Sequence, residues 1–170
     1  MQRISRHILL AVLLGIPSVG MAGASANTLI ESRAIAEQLE QRLQRDLKER
    51  LESASGQGAL ARCHQITQAI LEQMSADTGF TIKRISLYAQ HPQTQPERWE
   101  KVVLETFNAQ LKAGDALEKL EFYERHQHKT TTEFHYMRAL QPAGVCAHCH
   151  QSPQGAVVGA LSVVKIVPLR

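Results

Sequence analysis

Cysteine is scarce in this chain, with three among 170 residues and none before Cys63. With no second CxxC and no HxxxH pair, a four-ligand zinc site has no ligand set to draw on. The absence of any early cysteine also excludes a lipid-bearing thiol near the N-terminus. Aromatic residues are few as well, and no basic run is interleaved with them, so nothing suggests a nucleic-acid groove. Beyond the first 20 residues no apolar stretch approaches the roughly 20 residues needed to span a bilayer. No internal repeat, low-complexity tract, phosphate-cradling glycine loop, Ser-His-acid set or paired-carboxylate pattern stands out. Hydrolase and transferase activities therefore have no basis in the sequence, and a carrier or sensor is expected rather than an enzyme.

What the chain does have is Cys146-Ala147-His148-Cys149-His150, a CxxCH run of the kind that attaches haem covalently. Two thiols at this spacing can add to the two vinyl groups of haem. The following histidine supplies a nitrogen to one axial face of the iron. A redox dithiol would instead open a helix beside a strand, whereas this pair lies late in the chain between Pro142 and Pro153. One covalent haem c is expected, with Cys146, Cys149 and His150 as its attachment residues and His150 as the fifth iron ligand.

Export is the second signal. Arg3 and Arg6 precede an apolar run from Ile8 to Val19, and Ala24-Ser25-Ala26 places small residues where a signal peptidase cuts. Residues 1–26 are expected to be a signal peptide, cleaved after Ala26. Covalent haem attachment occurs outside the energy-coupling membrane, so the two signals agree on a soluble, periplasmic protein with no stable membrane insertion. Of the 19 basic residues two leave with the signal, which brings 17 basic groups against 16 acidic ones. What remains is long enough to bury a core of its own.

Once Cys146 and Cys149 are thioethers, Cys63 is the remaining thiol in a compartment where thiols usually pair. Leu60, Cys63, Ile66, Ile70 and Met74 recur at threes and fours on one helical face, so Cys63 points inward. A buried cysteine is commonly just a small apolar filler. Iron with one open axial face gives it another use, because thiolate is an established haem ligand. Cys63 is therefore the preferred sixth ligand. His64, on another face, Met74, Met137, His91, His126, His128, His135 and His148 stay as rivals.

The periodicity predicts an α+β chain. Residues 27–56 hold a long amphipathic helix, over 28–54, with an apolar row at Ile35, Leu39, Leu43, Leu47 and Leu51. That row packs on its own domain or forms the seam of a homodimer. Gly56 and Gly58 precede the cysteine helix. A strand follows over 80–89, and Thr94 with Glu97 forms a capping box for a helix that buries Trp99, Val103 and Phe107 and ends near Gly114. Segments 118–126, 131–140 and 157–167 complete an antiparallel sheet.

From Gly58 to Pro168 the chain resembles the c-type haem family of exported PAS-like single-haem domains. The resemblance is carried by Ala59-Leu60-Ala61-Arg62-Cys63, by Gly79 with Arg84-Ile85-Ser86-Leu87, by the proline loop leading to Trp99-Glu100, by Tyr136-Met137-Arg138 before CxxCH, and by Gly155 through Val163. It implies a PAS-like sheet flanked by helices over 57–170, with haem between them, and it places the family's cysteine at Cys63. Gln90-His91-Pro92 and Gln151 depart from the pattern and leave the role of His91 open. Haem propionates are anions that guanidinium groups bind in a fork, so Arg84, which the family pattern carries, and Arg138 are candidate propionate partners.

Two protein ligands close the iron to substrate and favour one-electron transfer or redox sensing with an unidentified redox partner protein. A gas sensor in which a ligand displaces Cys63, and a haem-free thiol-disulfide protein, are the alternatives.

Overall fold

The computed structural model describes residues 20–51, 57–89, 91–140 and 159–169. Most of the expected signal peptide and the whole CxxCH motif lie outside these residues. The chain is α+β, as expected. Helices α1 (Gly20–Leu51) and α2 (Gln57–Thr78) are followed by β1 (Thr81–Ile85), α3 (Arg98–Lys112), β2 (Glu121–Gln127), β3 (Thr131–Leu140) and β4 (Gly159–Pro168). The four strands form one antiparallel sheet in the order β1-β4-β3-β2. Helix α1 begins at Gly20, upstream of the expected cleavage point. No helix of the described residues is long and apolar enough to cross a membrane.

Alternation along the strands divides the core into two layers. On one face Ile82, Tyr136, Leu161 and Val163 meet α1 through Ile35, Leu39, Leu43 and Leu47, and α2 through Cys63, Ile66, Ile70 and Met74. On the other, Ile85, Met137, Ala139 and Ala160 meet Val103, Leu104 and Phe107 of α3. Ile35, Leu39, Leu43 and Leu47 of the α1 row are thus buried within the chain itself. Each such side chain contributes about 1.5–3 kcal/mol by leaving water.

Three boundaries differ from the sequence reading, each for a local reason. The capping box of α3 is formed by Glu97 and Glu100 and not by Thr94 and Glu97. Pro96 holds Gln95 in extended backbone (φ −72°, ψ 132°), so no helix can start there, and the Thr94 hydroxyl donates instead to the His91 carbonyl. Strand β1 stops at Ile85 because the Ser86 amide donates to the Thr94 carbonyl and draws the chain into a turn. Leu117–Lys119 is a 3-10 turn, which delays β2 to Glu121.

Glu100 has no exposure at all. Its carboxylate accepts from Ser162 Oγ at 2.6 Å, lies 3.1 Å from Lys83 Nζ, and accepts the Glu97 amide at 2.7 Å. One buried charge therefore fastens α3 to β1 and β4. Gly159 is equally constrained, since a Cβ there would sit 2.4 Å from the Ile85 carbonyl oxygen.

Removing one partner of a buried ion pair strands the other, so Glu100→Ala is expected to lower unfolding free energy by about 3 kcal/mol. Urea denaturation checks this, and a loss under about 1 kcal/mol would show that the carboxylate does not hold the helix. Gly159→Ala is expected to destabilise as well, by pushing β1 away from β4.

Candidate functional site

Arg84 on β1 and Arg138 on β3 lie opposite the same residue of β4, Leu161. The three strands set the two arginine Cα atoms about 10 Å apart at one level of the sheet. Alternation sends both side chains to the face that carries α1 and α2, where they line a cavity of about 210 Å³. Its apolar walls are Leu39 and Leu43 of α1, Leu117, Leu140 and Leu161. Glu40, Gln44 and Glu118 supply the remaining polar groups.

Among the described residues neither guanidinium group makes a close ion pair. Arg138 Nη2 lies 3.8 Å from Glu40 Oε2, a loose contact between side chains 25% and 39% exposed. Arg84 is half-buried, and among the described residues its side chain has no hydrogen bond or ion pair. A half-buried cation beside apolar walls and with no ion pair among the described residues favours an anion in the space in front of it.

Next along the row, Glu121 is opposite Arg138 on β2. Its carboxylate accepts a two-pronged pair from Arg33 of α1, with Nε at 3.1 Å and Nη2 closing the fork, and it accepts the Tyr136 hydroxyl at 3.2 Å. The Arg33 hydrogen bond and charge hold Glu121 below the usual carboxylate range and raise Arg33 in turn. Burial, reinforced by the Glu121 charge, pushes the Tyr136 phenol well above its ordinary range, so it stays neutral. Glu121 is thereby committed to Arg33 and Tyr136, and Glu40 is the carboxylate nearest Arg138.

Cys63 is 5% exposed in the layer between α1, α2 and the sheet. Leu39, Leu43 and Leu161 belong to that same apolar cluster and also wall the cavity. The structure thus brings Arg84 and Arg138 together and sets Cys63 in the packing that lines their cavity. Cys146, Cys149 and His150 lie outside the described residues. Met137 packs with α3 on the opposite face from Cys63. His135 stacks on Trp99 at 4.3 Å on that opposite face. His91 stacks on His64 with ring centroids 4.1 Å apart. Burial and the neighbouring His91 lower the His64 pKa, which keeps that imidazole neutral.

Sequence reasoning missed Glu40, Gln44 and Glu118. Glu40 stands directly beside Leu39 of the apolar row, a position that reads as a solvated helix flank until the sheet is placed against it. The Arg33–Glu121–Tyr136 network joins residues too far apart in sequence for any local pattern to link.

Glu97 is held below the usual carboxylate range by its hydrogen bond from Lys83, as Glu121 is by Arg33. A carboxyl depressed in the folded state contributes stability that is complete above its unfolded value, about 4.3, and lost as pH falls through the folded value. Urea midpoints measured from pH 7 downward are expected to fall below about pH 4.5. The fall should be shallower in Glu121→Gln. An unchanged acid limb in that variant would remove Glu121 from this role.

The fold is similar to that in the crystal structure of the cyanobacterial heme-protein Tll0287, with a TM-score of 0.50 and 14% identity over 85% of this chain and 96% of that one. No curated protein matches the sequence. The family model described as Tll0287-like matches residues 21–163, a span that takes in Cys63, both arginines and the CxxCH motif. By that match, over most of its length, the chain belongs to the Tll0287-like family.

Proposed function

We propose that this is an exported, periplasmic single-haem protein of c type, PAS-like in its sheet, that carries one electron or reports redox state to a separate protein. The observation that carries the reading is Arg84, half-buried with no ion pair among the described residues and set level with Arg138 around one cavity. Two arginines flanking an apolar pocket suit a group with a flat apolar body and two carboxylate arms, which is the chemistry of haem. The solved heme-protein of similar fold supports the same cofactor.

Topology supports the attachment. Leu140 and Gly159 are opposite each other at the ends of β3 and β4, and Ala139 and Leu140 line the cavity. Cys146 follows Leu140 by six residues and His150 precedes Gly159 by nine. Chain reach alone keeps both within about 20 to 30 Å of that end of the sheet. That reach is compatible with attachment at the arginine-lined end of the sheet.

Arg84 and Arg138 would hold the carboxylate arms, His150 and Cys63 would ligate the iron, and the leucine walls would exclude water. Haem supplies, when bound, a one-electron redox centre. A thiolate from Cys63 donates charge and stabilises the ferric state, so a low reduction potential is expected. With two protein ligands the residues leave no position for substrate, in keeping with a carrier and not a catalyst.

Electron paramagnetic resonance of the oxidised mature protein tests this. A low-spin thiolate signature is expected, lost in Cys63→Ala while the covalent haem content stays the same. A signature unchanged by that substitution would assign the sixth position elsewhere. Carbon monoxide added to the reduced protein is expected to leave the Soret band unmoved, and a shifted band would favour gas sensing through displacement of Cys63.

A further inference from the structure

Histidine and glutamate crowd the sheet just past the start of α3. His126 of β2 lies opposite Glu133 of β3, and Glu124 of β2 lies opposite His135. Alternation puts all four on the face that carries Phe122 and Met137, which is the α3 face. Helix α3 begins at Arg98, and Trp99 in its first turn stacks on His135 at 4.3 Å. Past that ring the face opens to solvent, since Ile166, opposite Glu133 on β4, is 55% exposed. His128, from the connection between β2 and β3, joins the group through Glu133. Residues 141–158 leave the sheet at Leu140 and Gly159, the other end of β3 and β4.

Three imidazoles meet two carboxylates here at ligand spacing. One oxygen of Glu133 lies 3.3 Å from His135 Nε2 and the other 3.7 Å from His128 Nε2. Glu124 lies 3.2 Å from His126 Nε2, and the His126 and His135 ring centroids are 4.7 Å apart. Donors on a tetrahedral zinc, bound at about 2.0–2.1 Å, stand roughly 3.3 Å from each other. His135 is the fixed member, with a stacked ring, a side chain 12% exposed, and a buried Nδ1 that has no hydrogen-bond partner among the described residues. The side chains of His126 and His128 are 40% and 52% exposed and have room to turn. As they stand, no three of these donors surround a common point, because each imidazole is turned to a carboxylate. An ion entering between Glu133 and His135 would draw the two exposed rings onto itself.

We propose that His126, His128, His135 and Glu133 form a binding site for one divalent transition-metal ion, separate from the arginine-lined cavity. Three neutral imidazoles and one carboxylate make a nitrogen-rich set that suits zinc or copper. Calcium and magnesium, which take oxygen ligands, are disfavoured. Glu124 stands beside the set as a further negative charge that attracts a cation, while Glu97 at the start of α3 is engaged by Lys83. Binding exchanges the imidazole–carboxylate contacts for metal bonds and ties β2 to β3 at their open end. The site is built from described residues alone and is independent of haem.

The test is isothermal titration calorimetry of zinc chloride into the mature protein at neutral pH in a non-chelating buffer. It is repeated with magnesium chloride, and with Glu133→Gln, His126→Ala and His91→Ala, the last altering the separate His64–His91 stack. One zinc ion per chain is expected, bound at least about tenfold more weakly by Glu133→Gln and His126→Ala and as tightly by His91→Ala. Magnesium should give no binding heat at the same concentrations. Zinc should also raise the urea midpoint of the native chain and leave that of Glu133→Gln unmoved. X-ray absorption at the zinc edge should show imidazole and oxygen neighbours and no sulfur. No stoichiometric uptake, native affinity in both cluster variants, loss of uptake in His91→Ala, or equal uptake of magnesium overturns the proposal. Sulfur around the zinc places the ion on the cysteines and overturns it as well.

Discussion

Two guanidinium groups held at one level of a sheet, on the face where α1 and α2 are packed, set the central constraint on this molecule. Arg84 and Arg138 cannot retreat, because the strands that carry them are both paired to Leu161 of β4. Among the described residues neither makes a close ion pair. Arg84 has no counter-charge among the described residues, and Arg138 shares Glu40 at a distance longer than a good charged hydrogen bond. Leaving a cation in such surroundings costs free energy that an anionic ligand recovers. The surrounding structure holds that arrangement in place. The core cluster around Leu39, Leu43 and Leu161 fixes α1 over the arginines, and the Arg33–Glu121–Tyr136 network pins the helix to β2 and β3.

Rigidity on the far face serves the same end. Glu100, fully buried, binds α3 to β1 and β4 through Lys83 and Ser162. Gly159 lets β4 approach the Ile85 carbonyl where no side chain could fit. Both contacts lie on strand β4 and its pairing with β1, and it is this pairing that puts Arg84 level with Leu161. A shift of β1 by a single residue would send Arg84 to the α3 layer, so the packing of α3 fixes the geometry of a site it never touches.

Much of this was legible in the sequence where the signal was periodic or compositional. The leucine row of α1, the inward face of α2 with Cys63, the ten residues of β3 and the helix that buries Val103 and Phe107 all followed from spacing alone. Arg84 and Arg138 were singled out by their chemistry and by family resemblance, and the structure brings them to one cavity. What spacing could not show was set by local competition or by distance. Pro96 moved the helix cap from Thr94 to Glu97, and a Ser86–Thr94 hydrogen bond ended β1 early. Glu40 looked like one more polar position on an amphipathic helix, and only the sheet opposite it makes it a neighbour of Arg138.

The central claim is that this arginine-flanked cavity seats a porphyrin bound to the chain through Cys146 and Cys149. Mass spectrometry of protein matured in cells with haem-attachment machinery tests it most directly. The account requires one added haem mass on the peptide that carries Cys146 and Cys149, with that mass absent from Cys146→Ala/Cys149→Ala. Matured protein of unmodified peptide mass, from cells that assemble other cytochromes normally, would contradict it.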